Sequence, residues 1–203
     1  MIGILCPSQF EYRYIRDLKI PAKKADLVCS GMGKIRALEA CHHLKTRHRN
    51  LRHLLLIGFA GSLSEGLKIG DLVEPNVFIE QDYDARPFEK FPHVIRVENR
   101  RLIGSSRRGV MVTQDRFLTA NPFKGTPLAR KYPNLACDME SYAAAFFCEA
   151  NGVKFHALKF ISDRADSGAD HDFLSACRKL APLLKDATLK AVGKLQIRRR
   201  WGR

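Results

Sequence analysis

Three acidic residues, Glu11, Glu140 and Asp163, each stand just beyond a short apolar run that reads as a β-strand. Glu11 follows the run 2–6 through Pro7-Ser8-Gln9-Phe10, and Glu140 follows 135–137 through Asp138-Met139. Asp163 comes directly after 155–162, and a further run, 54–59, leads into Gly58-Phe59-Ala60-Gly61-Ser62. In α/β sheets ligands collect outside the carboxyl ends of the strands. Carboxylates far apart in the chain can therefore meet at one crevice. Such carboxylates can divide acid and base work: one, kept protonated by burial, donates a proton, while another takes one from water.

Other chemical patterns are weaker. Gly31-Met32-Gly33-Lys34 has neither the spacer before its GK pair nor the following Ser or Thr of a phosphate loop, since Ile35 comes next. It also lacks the third glycine of a dinucleotide fingerprint. A tight strand-to-helix turn is the simpler use of its glycines. The cluster Asp166, Asp170, His171 and Asp172 fails calcium-loop spacing and reads as a polar loop whose carboxylates stabilise the start of the last helix. There is no GxSxG elbow; His42 and His43 fall on a basic helix, and His156 inside a strand reads as a core residue. No metal and no organic cofactor are expected.

The elements that must position these residues alternate. Strands are predicted at 2–6, 26–29, 54–59, 72–79, 109–113, 135–137 and 155–162, several apolar at consecutive positions, as in strands covered on both faces. Helices are predicted at 34–49, 138–151 (stopping before Gly152) and 172–194, with 86–108 a loop or irregular hairpin. Alternation of this kind predicts a three-layer α/β/α fold with a central mixed sheet. One domain over 1–195 and a basic tail over 196–203 account for the 203 residues.

Composition bounds the rest. With 45% hydrophobic and 28% charged residues the chain is an ordinary globular sequence, without an apolar run of membrane-spanning length. The N-terminus shows no signal peptide, which predicts a cytoplasmic protein. Six scattered cysteines without CxxC spacing read as buried thiols in a reducing compartment. The net charge of +14 favours anions, but the basic residues are dispersed. The tail, with its single Trp201, lacks the repeated aromatic platforms of RNA binding, so nucleic acid is not the expected partner.

Seven segments in order carry a resemblance. They are 3–11, Ser30-Gly31-Met32-Gly33-Lys34, Gly58-Phe59-Ala60-Gly61-Ser62-Leu63, Leu67-Lys68-Ile69-Gly70-Asp71, Val112-Thr113-Gln114-Asp115-Arg116-Phe117, Asp138-Met139-Glu140-Ser141 and Ile161-Ser162-Asp163. Together they resemble the nucleoside phosphorylase and nucleosidase family, most closely the methylthioadenosine/S-adenosylhomocysteine nucleosidases. The resemblance covers residues 2 to about 195. It implies a nucleoside-phosphorylase-like fold, a purine nucleoside substrate and a homodimer.

By the same resemblance, Asp163 is the acid that protonates N7 of the base, and Glu11 orients and deprotonates the attacking water. Glu140 accepts hydrogen bonds from the ribose 2′- and 3′-hydroxyls, and Met139 packs on the sugar. Phe117 stacks on the purine, the Leu118 backbone reads its edge, and Met32, Ser162, Gly58 and Phe59 line the pocket. Two departures bear on the nucleophile. Where phosphorylases of this family carry an arginine for phosphate, this chain has Leu56 and Ile57, an apolar pair unable to hold a dianion. Phe59 stands where relatives often have Ser. Both favour water, hence an N-ribosyl hydrolase; the alternatives are a purine nucleoside phosphorylase and a non-catalytic nucleoside- or RNA-binding module. The Asp82-Tyr83-Asp84-Ala85-Arg86-Pro87-Phe88 stretch departs from the family pattern where the dimer and the 5′ end of the pocket form, leaving the 5′ substituent open: methylthio, homocysteinyl, a bulkier apolar group, an acidic group suited to the positive net charge, or another purine nucleoside altogether.

Overall fold

The computed structural model describes residues 1–90 and 93–197. In chain order it comprises β1 (Ile2–Cys6), α1 (Gln9–Ile15), β2 (Ala25–Cys29), α2 (Lys34–Arg47), β3 (His53–Ser62), β4 (Leu72–Glu80) and β5 (His93–Arg96). There follow β6 (Arg107–Thr113), α3 (Pro127–Lys131), β7 (Leu135–Asp138), α4 (Ser141–Ala150), β8 (Lys154–Asp163), α5 (Ala169–Lys179) and α6 (Ala181–Ile197). Of the predicted basic tail, 198–203 lies outside the described residues.

The strands form one mixed sheet whose middle closes on itself. β3 pairs β8 in parallel, β8 pairs β4 antiparallel, β4 and β6 run parallel, β6 and β7 run parallel, and β7 returns antiparallel to the end of β3. β1 and then β2 extend from the free edge of β3, and β5 hairpins back on β4. The pairing Gly61↔Cys137 brings the carboxyl end of β7 to the carboxyl end of β3, with a register shift at Ala60/Gly61. Bulges of this kind re-aim side chains beside functional sites.

Helices cover both faces, giving the three layers. On one side α2 presents Ala37, Cys41 and Leu44, at the spacing of one helical stripe, and packs on β1 and β2 beside the Ala-rich α4, which covers β3, β4, β6 and β8. On the other side α1, α5 and α6 bury Ile15, Cys177, Leu184 and Ala187 against Leu55, Ile57 and Leu158. No helix among the described residues is long and apolar enough to cross a membrane. All six cysteines are free thiols, five buried and Cys29 half-buried. His156 is a core residue, as expected, its Nε2 3.2 Å from His53 Nδ1.

Several elements differ from expectation. The segment after β1, for which no helix was predicted, forms α1, opened by a capping box: Glu11 N–H donates to Ser8 Oγ and Ser8 N–H donates to the Glu11 carboxylate. The predicted helix 138–151 begins only at Ser141, because Asp138 completes the β7 ladder and Glu140 is the N-cap. The predicted helix 172–194 is two helices, α5 starting earlier at Ala169, with the break at Leu180. Pro182 accounts for that break: it has no N–H to donate, its ring crowds the carbonyl four residues back, and it is tolerated in a first turn. The short α3, led by the Thr126 cap and Pro127, was not expected, and within 86–108 the irregular hairpin is the form adopted, through β5.

Candidate active site

The three carboxylates converge on one cavity of about 440 Å³ at the carboxyl ends of β1, β3, β7 and β8. Its wall includes Glu11, Met32, Phe59, Phe117, Leu118, Met139, Glu140, Ser162 and Asp163, nine of the ten residues expected from the sequence. Gly58 is the exception and needs correction: it does not line the cavity. A Cβ built there would lie 2.5 Å from Glu11 Oε1 and 3.2 Å from Glu11 Cδ, so its missing side chain is the space that Glu11 occupies.

Glu11 is no surface charge. Only 3% of it is exposed. Oε1 accepts the Phe59 N–H at 2.7 Å, and Oε2 accepts the Ser8 N–H at 2.9 Å and the Ser8 hydroxyl. Burial raises its pKa above the ordinary carboxylate range, against the opposing pull of Lys159 and of those hydrogen bonds. The same residue thus closes a helix cap and turns a fixed carboxylate toward the cavity.

Asp163 ends β8 over Gly61, where an added Cβ would stand 2.7 Å from its Oδ1. Oδ1 accepts the Ala165 N–H at 2.9 Å, drawn by a turn in which Ala165 takes φ 50°, and Oδ2 lies 2.6 Å from Ser162 Oγ. Burial raises its pKa and the neighbouring Asp172 and Asp166 add to this, while the two hydrogen bonds oppose it. Ser162 Oγ also lies 3.2 Å from the Ala60 carbonyl. Its single proton can turn to either acceptor, so Asp163 can be accommodated with or without its own proton.

Glu140 heads α4, yet its side chain does not cap that helix. The carboxylate instead accepts the Gly33 N–H at 3.0 Å, offered by the β2–α2 turn. Gly31 and Gly33 have φ of 84° and 103° there, a conformation that favours glycine, so the expected tight turn is what Gly31-Met32-Gly33-Lys34 provides.

Beneath Glu140 lies the residue that motif reading missed. Lys159 on β8 is completely buried, with Nζ 2.9 Å from Asp138 Oδ2 and 3.6 Å from Glu140 Oε2. The close approach to Asp138 is an ion pair whose alignment falls short of a good hydrogen bond. Asp138 is otherwise held by Thr113 Oγ1 at 2.8 Å and by Ser141. One ammonium thus faces Asp138, Glu140 and Glu11, all of which hold it in the charged form. A single cation cannot neutralise three buried carboxylates. Glu140 accordingly has its pKa raised to about 7, by burial first and then by repulsion from Asp138 and Glu11, with Lys159 opposing. A lysine inside the otherwise apolar run 157–161 was the available signal, since lysine is almost never fully buried unless paired.

The remaining wall is aromatic. The Phe173 ring meets Phe59 and Phe117 edge-to-face, each at 6.1 Å between centroids, and Phe10 at 6.5 Å. Neither Phe10 nor Phe173 was expected from the sequence to line the site. Arrangements of this type can hold a flat apolar group between rings, and the three buried carboxyls beside them can accept hydrogen bonds or exchange protons.

The chain is similar to known proteins over most of its length. The chain is 26% identical over 196 residues to the 5′-methylthioadenosine/S-adenosylhomocysteine nucleosidase of Staphylococcus haemolyticus, covering 86% of this chain and 85% of that one. It is 26% identical over 159 residues to the aminodeoxyfutalosine nucleosidase of Campylobacter jejuni, covering 70% and 69%. In fold it matches the crystal structure of the Helicobacter pylori 5′-methylthioadenosine/S-adenosyl homocysteine nucleosidase, with a TM-score of 0.81 at 24% identity, over 95% of this chain and 97% of that one. The family model described as Phosphorylase superfamily matches residues 13–192. The chain belongs to the phosphorylase superfamily.

Proposed function

We propose that this protein is a purine nucleosidase, hydrolysing the bond between an adenine-type base and ribose with water as the nucleophile. The observation that carries the reading is the pair Glu11 and Asp163. They are packed over Gly58 and Gly61 of one strand, ~10 Å of β3 apart, with Glu140 and Met139 on the wall between helix α4 and the cavity.

Departure of a purine as an anion is slow, and a proton delivered to N7 makes it a neutral leaving group. Asp163, with its raised pKa, is the donor. As the glycosidic bond breaks, positive charge develops on the ribose. Glu140 supports it and accepts from the sugar hydroxyls, Lys159 keeping its carboxylate partly ionised. Glu11 takes the proton from water as the new C1′–O bond forms, and Phe117 and Leu118 hold the base. Atoms balance: water is split between ribose, which gains OH, and the base, which gains H.

Water rather than phosphate is supported by the cavity's charge. Arg116, beside Phe117, is the one cationic side chain among the described residues that line it. Leu56 and Ile57 are fully buried core residues of β3. The free thiols fit a cytoplasmic setting.

The test is release of free base from methylthioadenosine, S-adenosylhomocysteine, adenosine and inosine, with and without phosphate. Release independent of phosphate is expected, whereas release that requires phosphate converts the reading to a phosphorylase. Glu11→Gln should retain nucleoside binding and lose about 10²–10⁴ in kcat; loss of binding would assign Glu11 a structural role instead. Gly58→Ala should act through Glu11, because a Cβ 2.5 Å from Oε1 forces that carboxylate off the Phe59 amide. A stability loss of about 1–3 kcal/mol is expected together with lost turnover. Full activity in that variant would show that the catalytic position of Glu11 does not depend on this space.

A further inference from the structure

Basic residues that are dispersed along the chain are in part gathered by the fold. β2, β1, β3 and β8 lie side by side in parallel, so their amino ends form one edge of the sheet. Backbone hydrogen bonds align that edge residue by residue. Ile2 N–H donates to the Lys24 carbonyl at 3.1 Å, Arg52 N–H to the Met1 carbonyl at 3.0 Å and Lys154 N–H to the Arg52 carbonyl at 2.9 Å. Lys24, Arg52 and Lys154 therefore stand in one line across the four strands, ~15 Å from end to end. All three are exposed, and the exposed Lys23 and Arg49 flank them. Among the described residues none of these five is paired with a carboxylate, and Asp26, the acid beside them, is already held by Arg47 and His48.

The other end of the sheet has the opposite sign. Glu11, Asp82, Asp115, Glu140, Asp163 and Asp166 all stand at or beyond the carboxyl ends of strands, and β3, ten residues long, sets ~30 Å between the two ends. A molecule of net charge +14 with its acids so placed presents the Lys24–Lys154 edge to an anion. Past Lys154 a cavity of about 600 Å³ mixes Arg96 and Arg100 with Glu98 and Glu149, so the uniformly positive strip ends there. Cations in a line suit a linear run of phosphates. A small anion needs its partners convergent, and a bilayer rewards charge spread over a plane together with inserted apolar side chains. None of the exposed large apolar side chains among the described residues falls at 19–24, 48–53 or 151–154. The edge thus has no platform on which bases could stack. We propose that this edge binds a nucleic-acid strand through its phosphates, without reading its sequence and with the active site turned away from it.

The experiment titrates the full chain into a fluorescein-labelled oligouridylate about 20 nucleotides long and reads anisotropy over a series of salt concentrations. Binding is read without turnover, so it stands or falls apart from the nucleosidase reading. With three phosphates neutralised on a single strand, log K should fall against log salt with a slope of about −2 or steeper. The triple variant Lys24→Glu, Arg52→Glu and Lys154→Glu, checked for folding by circular dichroism, should lose about 10²-fold in affinity at about 0.1 M salt. The triple variant Lys68→Glu, Lys124→Glu and Lys131→Glu changes the net charge equally but away from the edge. It should lose less than about threefold, since distant charges are screened at that salt. Equal losses in the two variants would reduce the effect to net charge and overturn the proposal, as would a lack of binding at about 0.05 M salt. Binding to phosphatidylserine vesicles in place of the oligouridylate would assign the edge to a membrane and also overturn it. Base release from methylthioadenosine should be unchanged by saturating oligouridylate. Competition between them would place the strand at the active-site mouth, beside Arg116, and remove it from the edge. Should the first triple variant fail to fold, Arg52→Gln alone decides, with a loss of about fivefold at about 0.1 M salt and a slope shallower by about 0.7; an unchanged slope overturns the proposal.

Discussion

Asp163→Asn is expected to lower kcat for base release by about 10²–10⁴ while leaving the fold and nucleoside binding in place. The substitution keeps the shape at a buried position. The amide oxygen can still accept the Ala165 N–H, and the amide nitrogen can donate to Ser162 Oγ, which lies 2.6 Å from Oδ2 in the native chain. What it removes is a transferable proton. The pH profile separates this role from a structural one. In the native chain, burial and the nearby Asp172 and Asp166 raise the Asp163 pKa, so the acid is lost as pH rises through that raised value. Glu11 must be ionised to act as base, and its own raised pKa makes activity fall as pH drops. The variant should therefore lose the alkaline limb and keep the acid one. Near-normal turnover by folded Asp163→Asn would remove this residue from the chemistry.

Lys159→Met is expected to destabilise the protein by about 3–5 kcal/mol at pH 8 and to abolish turnover there. The side chain is of similar length and apolar, but it leaves Asp138, Glu140 and Glu11 facing one another in a buried space without a countercharge. The pH dependence has a definite sign. A carboxyl raised in the folded state binds its proton more tightly when folded than when unfolded, so its stabilising contribution is complete below the unfolded value and is lost as pH rises. For Glu140 that window runs from 4.5 to about 7. Native stability from this group therefore declines across that range, and removal of Lys159, which lowers the Glu140 pKa, should steepen the decline and extend it upward. Glu140→Gln should flatten it. Urea melts of the three proteins between pH 5 and 8 measure this directly. Equal loss at both ends of that range would mean that Lys159 contributes packing alone.

Much of the architecture was legible because it is written in local patterns. Consecutive apolar positions marked β1, β3 and β8, the stripe of Ala37, Cys41 and Leu44 marked α2, and Gly152 marked the end of α4. α1 was legible in principle, since Ser8 and Glu11 stand at capping-box spacing. One residue, Glu11, serves both the cap and the cavity. Pro182 likewise offered the signal that divides α5 from α6.

Residue types and order alone determined that three carboxylates follow strands and that a glycine pair turns the chain into α2; the family resemblance added that Leu56 and Ile57 stand where phosphorylases carry an arginine. Only the tertiary structure decided that β7 returns antiparallel to the end of β3, setting Glu140 beside a turn 107 residues away. It also decided that Gly58 yields its space to Glu11, that Lys159 sets a buried cation beneath the acids, and that Phe10 and Leu174 join the cavity wall. The reason is physical: burial and charge pairing depend on which distant segments exclude water from a group, and that is a property of strand pairing and helix packing rather than of local spacing.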